Sequence, residues 1–274
     1  MWQVKIAPSL GGGFSGTPNQ VWGTTDYLND TDPTVFFGLY GLNDFHTLWR
    51  HKGRKSVLWA GSDIRHFING YWLDDKGQIR LEPAPLAEWL NKNVENWVEN
   101  VVEHNALKEF GIDSKICPSF LGNVDDYKVE YKWNSRPSVY TSVSGDDFKL
   151  YGWDKIDKLA EMNWGVDFHL YGNKGEWKTD RPNVIVHGRV PQEQMNAEIK
   201  EMQGSLRLTE FDGASELIVK AMLWGQYAFS FIPYPHVNQV IDLGLLIDWD
   251  QPNLEGRQWW LENLNSYPWN HFKS

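Results

Sequence analysis

One twenty-residue stretch limits what this chain can fold into more than any other: Leu206-Arg-Leu-Thr-Glu-Phe-Asp-Gly-Ala-Ser-Glu-Leu-Ile-Val-Lys-Ala-Met-Leu-Trp-Gly225. Leu206 to Leu208 reads as a short strand and Asp212-Gly213-Ala214 as a tight turn. Ser215 is placed to cap a helix running to about Trp224, Gly225 stops it, and a new strand begins near Ala228. Gly213 allows a ligand close to the backbone, and the amides of a helix start, with the helix dipole behind them, attract an anion such as phosphate. The plainer reading of the same residues is an ordinary crossover between two parallel strands, with a capped helix and no ligand.

The same rhythm recurs along the chain. Strands are predicted at Val4 to Ala7, Val35 to Tyr40 and Ser56 to Ala60, the last ending at Gly61-Ser62-Asp63. A helical stretch is predicted from Leu86 to Asn100, with Trp89 and Trp97 on one face, and a second helix from Val101 to Phe110, stopped by Gly111. Ile112 to Ile116 reads as a short strand, and the charged, aperiodic residues Tyr127 to Pro137 read as a linker. The second half gives strands at Ser138 to Val143, Val166 to Tyr171, Val184 to Val186 and Ala228 to Ile232. Its helices are predicted at Trp153 to Glu161, Gln192 to Met202, Val240 to Leu246 and Glu255 to Leu264. Alternating strands and helices predict two α/β domains with parallel sheets, residues 1–130 and 131–255, with a helix over about 256–274 returning to the first.

Charge and composition narrow the partners. A net charge of −10 argues against a duplex- or anionic-bilayer-binding protein, so nucleic acid is an unexpected partner. The densest basic patch, His51-Lys-Gly-Arg-Lys55, is small enough to guide no more than a phosphate. No run of eighteen apolar residues occurs, so no transmembrane segment is expected, and Met1 to Ile6 looks like a strand and not a leader. The single cysteine, Cys117, points to a reducing compartment and so to the cytoplasm. The sixteen tryptophans invite a carbohydrate reading, but most such rings fill cores.

The acidic-Gly-x-Ser turn, followed by Lys220-Ala-Met-Leu-Trp-Gly225, resembles the nucleotide-sugar segment of GT-B-fold glycosyltransferases, in particular the C-terminal donor-binding domain of the glycogen-synthase-like, family-4-like enzymes. Their pattern is acidic-Gly-x-[Gly/Ser], a few residues, then Glu-Ala-Met-x-x-Gly. The resemblance is good over residues 138–240. It implies a compact version of the GT-B fold, with two Rossmann-like domains facing across a cleft. It further implies a hexosyltransferase-type enzyme that moves a sugar from a nucleotide-diphosphate donor to an acceptor hydroxyl. The acceptor is open (glycan, lipid-linked or small molecule), and the nucleotide sugar is a co-substrate, so no separate cofactor is expected. No metal is expected either: His, Cys and carboxylates show no zinc spacing, and the pairs Asp125-Asp126 and Asp146-Asp147 read first as solvated turns.

Residue by residue, the resemblance puts Asp212 at the transferred sugar, and Gly213, Ala214, Ser215 and Glu216 around the donor diphosphate. The family's second acidic residue, eight positions on, contacts the donor ribose; here it is Lys220. A lysine has no acceptor for hydroxyl protons, so Lys220 is expected to pair with Glu216 instead, and a glutamate at 220 is expected to be tolerated mid-helix. Lys149 is the candidate cation for the leaving diphosphate, and Gly188, Arg189 and Val190 the candidate contacts of the donor base. In the first domain, Gly12 and Gly13 of the Gly11 to Gly16 loop are the acceptor-side candidates. Asp63, at a strand's C-terminal end, is the candidate base, with helix capping as its structural alternative and His46, His51 and His66 nearby. Two further functions stay open: a non-catalytic nucleotide- or sugar-binding relative, and a same-fold enzyme such as a nucleotide-sugar epimerase or a DNA-base glucosyltransferase.

Overall fold

The structure is a computed structural model that describes residues 1–10, 16–69, 83–143, 147–172, 177–241 and 250–272. The chain divides into two compact units. The first holds residues 1–123, 211–214 and 263–274, and the second holds 124–210 and 215–262.

In the first unit six parallel strands lie in the order β2-β1-β3-β4-β5-β6. They are β1 (Gln3–Ile6), β2 (Thr25–Asp26), β3 (Thr34–Phe37), β4 (Lys55–Leu58), β5 (Glu95–Val98) and β6 (Lys115–Ile116). The helices between them are α1 (Pro18–Trp22), α2 (Leu42–Arg50), α3 (Ser62–Ile68), α4 (Pro83–Asn93) and α5 (Val101–Glu109). β3 is buried along its whole length, as expected of a central parallel strand covered on both faces. One core cluster gathers Phe36, Val57, Trp59, Ile64, Phe67, Leu90 and Leu107, and another gathers Trp2, Trp22, Phe37, Leu58, Tyr267 and Trp269. Many of the tryptophans are therefore spent on packing, with Trp22, Trp59, Trp153, Trp260 and Trp269 among the largest fully buried side chains.

The second unit has strand order β12-β11-β10-β7-β8-β9, again all parallel. Here β7 is Ser138–Ser142, β8 Asp167–Tyr171, β9 Val184–Gly188, β10 Gly204–Arg207, β11 Tyr227–Ser230 and β12 Asn238–Gln239. The helices are α6 (Ile156–Met162), α7 (Gln192–Ile199), α8 (Glu216–Leu223) and α9 (Leu254–Asn263). Counted along this unit, the order reads 3-2-1-4-5-6 outward from β9, the dinucleotide-binding order, and the first unit has the flavodoxin-like 2-1-3-4-5 with one added strand.

Three sequence expectations need correction. Trp97 lies in β5 and not on a helix with Trp89. The run Glu95-Asn-Trp-Val buries alternate residues with the period of a strand, and α4 stops at Asn93. Only Lys115–Ile116 of the predicted 112–116 strand pairs, at the sheet edge. Near residue 240, Asn238–Gln239 pairs with β11 as a strand, and residues 242–246 of the predicted helix lie outside the described residues. Residues 127–137 carry no helix or strand.

Candidate functional site

In an open parallel sheet, ligands bind beyond the C-terminal strand ends where the strand order reverses, because neighbouring loops there turn to opposite faces and leave a crevice. In the second unit the reversal falls between β7 and β10. The chain leaving β10 runs through Leu208 and Thr209 into Asp212-Gly213-Ala214-Ser215 and then α8, so topology puts the turn singled out from sequence at the switch point. Ser215 takes the N-cap position with φ −58° and ψ 124°, but its hydroxyl makes no capping hydrogen bond.

The turn is held by two residues that sequence reasoning missed. β5 ends in Glu99-Asn100, and Asn100 is the N-cap of α5, with its side chain accepting from Val102 and Glu103 amides while Glu103 reaches back to the Asn100 amide. That capping box leaves the Asn100 amide NH2 free to donate to the Asp212 carbonyl at 2.7 Å. Glu99 accepts the Ala214 amide N–H at 2.7 Å on one oxygen, and on the other it accepts the Ser119 amide N–H at 3.3 Å and the Ser119 hydroxyl. Glycine is required twice here. A Cβ on Gly213 would overlap the Glu99 carboxylate, and one on Gly61, already at φ +76°, would come within 2.5 Å of the Gly213 nitrogen. The available signal was a strand-end Glu-Asn followed by Glu at the third helical position, which marks a helix start but not its partner.

Burial dominates the electrostatics of this group. It pushes the Glu99 carboxyl up to about 7, against the hydrogen bonds from Ser119 and Ala214, with Asp212 adding to the rise. Glu103 is fully buried, and both burial and the charge of Glu99 raise it well above the ordinary carboxylate range.

Asp63 is 0% exposed and spends both oxygens on the backbone, accepting N–H bonds from Leu39 (2.8 Å), Ala60 (2.9 Å) and Ile64 (2.8 Å). Gly61, not Asp63, is the N-cap of α3, and Asp63 lies in its first turn, so the carboxylate ties the ends of β3 and β4 to α3 instead of capping the helix. A base must meet a hydroxyl proton, and this carboxylate meets only amides, so it does not enter the functional reading below. Of the neighbouring histidines, His46 and His66 are exposed and His51 is buried beside the Tyr27 hydroxyl. Gly12 and Gly13 lie outside the described residues. Lys149 is exposed, close in sequence to β7 at the switch point.

Gly188 ends β9 at φ +71°, where the register with β8 shifts, and it is followed by exposed Arg189 and half-buried Val190. Beside them stands a second group that the sequence did not reveal. The His187 ring stacks on Tyr171 at 4.3 Å and 11°, and its Nε2 lies 2.8 Å from His169 Nδ1. The Tyr171 hydroxyl donates to Glu198 at 2.7 Å, and the same carboxylate lies 3.5 Å from His187 Nδ1. Burial and the neighbouring His187 hold His169 down to about 4, so it is neutral near pH 7. Their wide separation in sequence hid the group; parallel pairing of β8 with β9 unites them. Lys220 lies buried in α8 with its ammonium 3.1 Å from Glu216, the pairing expected from their spacing.

No family model matches the sequence, and no curated protein is detectably similar to it in sequence. Its fold, however, is similar to solved glycosyltransferases. The GtfA/B complex matches with a TM-score of 0.53 at 10% identity, over 85% of this chain and 55% of that one. A UDP-forming α,α-trehalose-phosphate synthase from Burkholderia vietnamiensis matches at 0.52 and 11%, over 86% and 72%. TarM matches at 0.51 and 14%, over 85% and 48%, and S. aureus TarM has also been solved with fondaparinux, α-GlcNAc-glycerol and UDP. The chain thus spans about half the length of TarM. At these identities the likeness establishes the fold: the protein has the α/β GT-B fold with two Rossmann-like units. Among the described residues no helix is long and apolar enough to cross a membrane.

Proposed function

We propose that this protein is a glycosyltransferase that takes a sugar from a nucleotide-diphosphate donor and passes it to an acceptor hydroxyl without a bound metal. The observation that carries the reading is the Asp212-Gly213-Ala214-Ser215 turn, which leaves β10 at the switch point of a dinucleotide-type sheet and leads directly into α8. Developing charge on the leaving diphosphate is the main electrostatic demand of the reaction. Backbone amides at the start of α8, the helix dipole behind them, and Lys149 or Arg189 would meet it. Asp212 is the carboxylate for the transferred sugar, and Gly188, Arg189 and Val190, next to the His187–Tyr171 stack, are the contacts for the donor base. The UDP bound to S. aureus TarM makes uridine the first base to try. Cytoplasmic location fits a nucleotide-sugar consumer and goes with the proposal.

A thermal-shift panel of nucleotide diphosphates and their sugars tests the reading. A true donor at about 100 times its dissociation constant stabilises the folded protein by about 2.7 kcal/mol, a rise of several degrees. Released nucleotide in the same tubes, measured with and without EDTA, then separates transferase from binder. Turnover is expected to survive chelation. Loss in EDTA with recovery in magnesium or manganese would overturn the metal-free mechanism and turn attention to the paired aspartates. Stabilisation by the donor with no turnover for any acceptor offered would favour the non-catalytic relative.

A further inference from the structure

Resting on that donor-site reading, we infer that the Glu99 carboxylate is a built-in competitor of the donor diphosphate, seated on the Ala214 amide that a nucleotide sugar must use, so that the charge of Glu99 sets donor affinity. An amide N–H points one hydrogen at one acceptor, and here the acceptor is Glu99 Oε2 at 2.7 Å. The carboxylate also fills the space over Gly213, where a Cβ would overlap it and where glycine otherwise lets a phosphate approach the backbone. The seat is built, not incidental. Ser119 holds the other oxygen through its amide and hydroxyl, Asn100 fixes the Asp212 carbonyl, and Glu99 is only 7% exposed.

An ionised carboxylate and a diphosphate cannot share this spot, because like charges at contact distance in a partly dry site repel strongly. Binding therefore requires Glu99 to withdraw from the Ala214 amide. A neutral side chain does so more readily than the anion, because its hydrogen bonds there are about half as strong and it does not repel the incoming diphosphate. The surrounding titratable groups favour the neutral form. Glu103 from α5 and Asp212 from the turn act on Glu99 directly. Asp63 from α3 acts on Glu103, and Tyr40 and Tyr267 also lie within the field of Glu99. All are acids. Glu103 Oε1, fully buried with no hydrogen-bond partner, lies 3.3 Å from the Cβ position of Gly61, on the Gly213 side of the loop. It marks a place where a donor group is still wanted: a proton shared across the two glutamates, or a ligand hydroxyl. Burial holds Glu99 at about 7, so its charge changes within the working pH range.

The test is calorimetry of UDP-glucose binding to the full chain between pH 6 and 8.5, with Glu99→Gln alongside. UDP-glucose is a useful probe because its pyrophosphate diester does not titrate in this range. Wild-type affinity is expected to be highest at low pH and to fall by about tenfold for each pH unit above 7, the signature of one proton required for binding. Glu99→Gln is expected to be flat with pH and to exceed wild type at least tenfold at pH 8. Wild-type binding that ignores pH, or weaker binding by a folded Glu99→Gln, would overturn the inference and leave the donor reading standing. The carboxylate would then be holding the turn in its binding form. If Glu99→Gln does not fold, the wild-type pH profile alone decides. If neither protein binds UDP-glucose, or any other nucleotide sugar, at any pH, the donor reading itself fails and takes the inference with it.

Discussion

Asp63→Ala is expected to cost about 2–6 kcal/mol of folding stability, enough to consume much of the margin of a domain this size. The side chain is completely buried, and its two oxygens accept from the amides of Leu39, Ala60 and Ile64, the last of which also donates to the Gly61 carbonyl at 3.1 Å. Removing it strands the Leu39 and Ala60 donors, each worth about 1–3 kcal/mol when left dry, while Ile64 keeps the Gly61 carbonyl. Asn at this position should fall between the two. Its oxygen can still serve Ala60 and Ile64, but its NH2 would face the Leu39 N–H, donor against donor. Urea denaturation of the three proteins gives the ranking. If Asp63→Ala lost less than about 1 kcal/mol yet abolished turnover, the carboxylate would have to be returned to the chemistry.

The same residue leaves a mark on the pH dependence. Burial raises Asp63 to about 7 in the folded chain, above the roughly 3.9 of an unfolded aspartate. Between those values the folded state holds a proton that the unfolded state has released, so folding takes up a proton. This group's share of stability is therefore fully present at low pH and is lost as pH rises through that window. Asp63→Ala should remove that slope along with the hydrogen bonds.

The sequence was most legible where one residue type answers to one local demand. Gly111 and Gly225 sit at positive φ just past helix ends, as their positions predicted, and the β10–turn–α8 segment needed no tertiary information. It was least legible where a short apolar run could serve either period. Glu95 to Val98 continued the helical pattern of Leu86 to Asn93 on paper, yet central pairing with β4 and β6 outweighed it. The site divides in the same way. The Asp212 to Ser215 turn was visible because its residues are contiguous. Glu99 and Asn100 were not, since they stand over a hundred positions away and reveal their role only through hydrogen bonds to Asp212 and Ala214. His169, Tyr171 and His187 were hidden by the pairing of β8 with β9 that assembles them.

Lys220→Glu, harmless on a surface helix, is expected to lower stability by about 3–5 kcal/mol. The sequence argument treated position 220 as a tolerant mid-helix site, but every residue of α8 from Leu217 to Leu223 is buried, and Lys220 itself is 3% exposed. Its ammonium has a defined partner in Glu216, 3.1 Å away and one turn back on the side where more solvent reaches. Glutamate at 220 would exchange an attractive pair for two carboxylates at that spacing, one of them without water, and both the desolvation and the repulsion oppose folding. Lys220→Met separates charge from packing. Methionine keeps much of the buried stem volume, and Glu216, 26% exposed, can turn to water, so the variant should stay within about 1 kcal/mol of wild type. Donor affinity in that folded variant then decides what the lysine is for. Unchanged binding leaves Lys220 as a packing and pairing residue, with the ribose held by another group. A loss of more than about tenfold, some 1.4 kcal/mol, would place the ammonium on the ligand and dissolve the correspondence between this helix and the family's ribose-binding carboxylate.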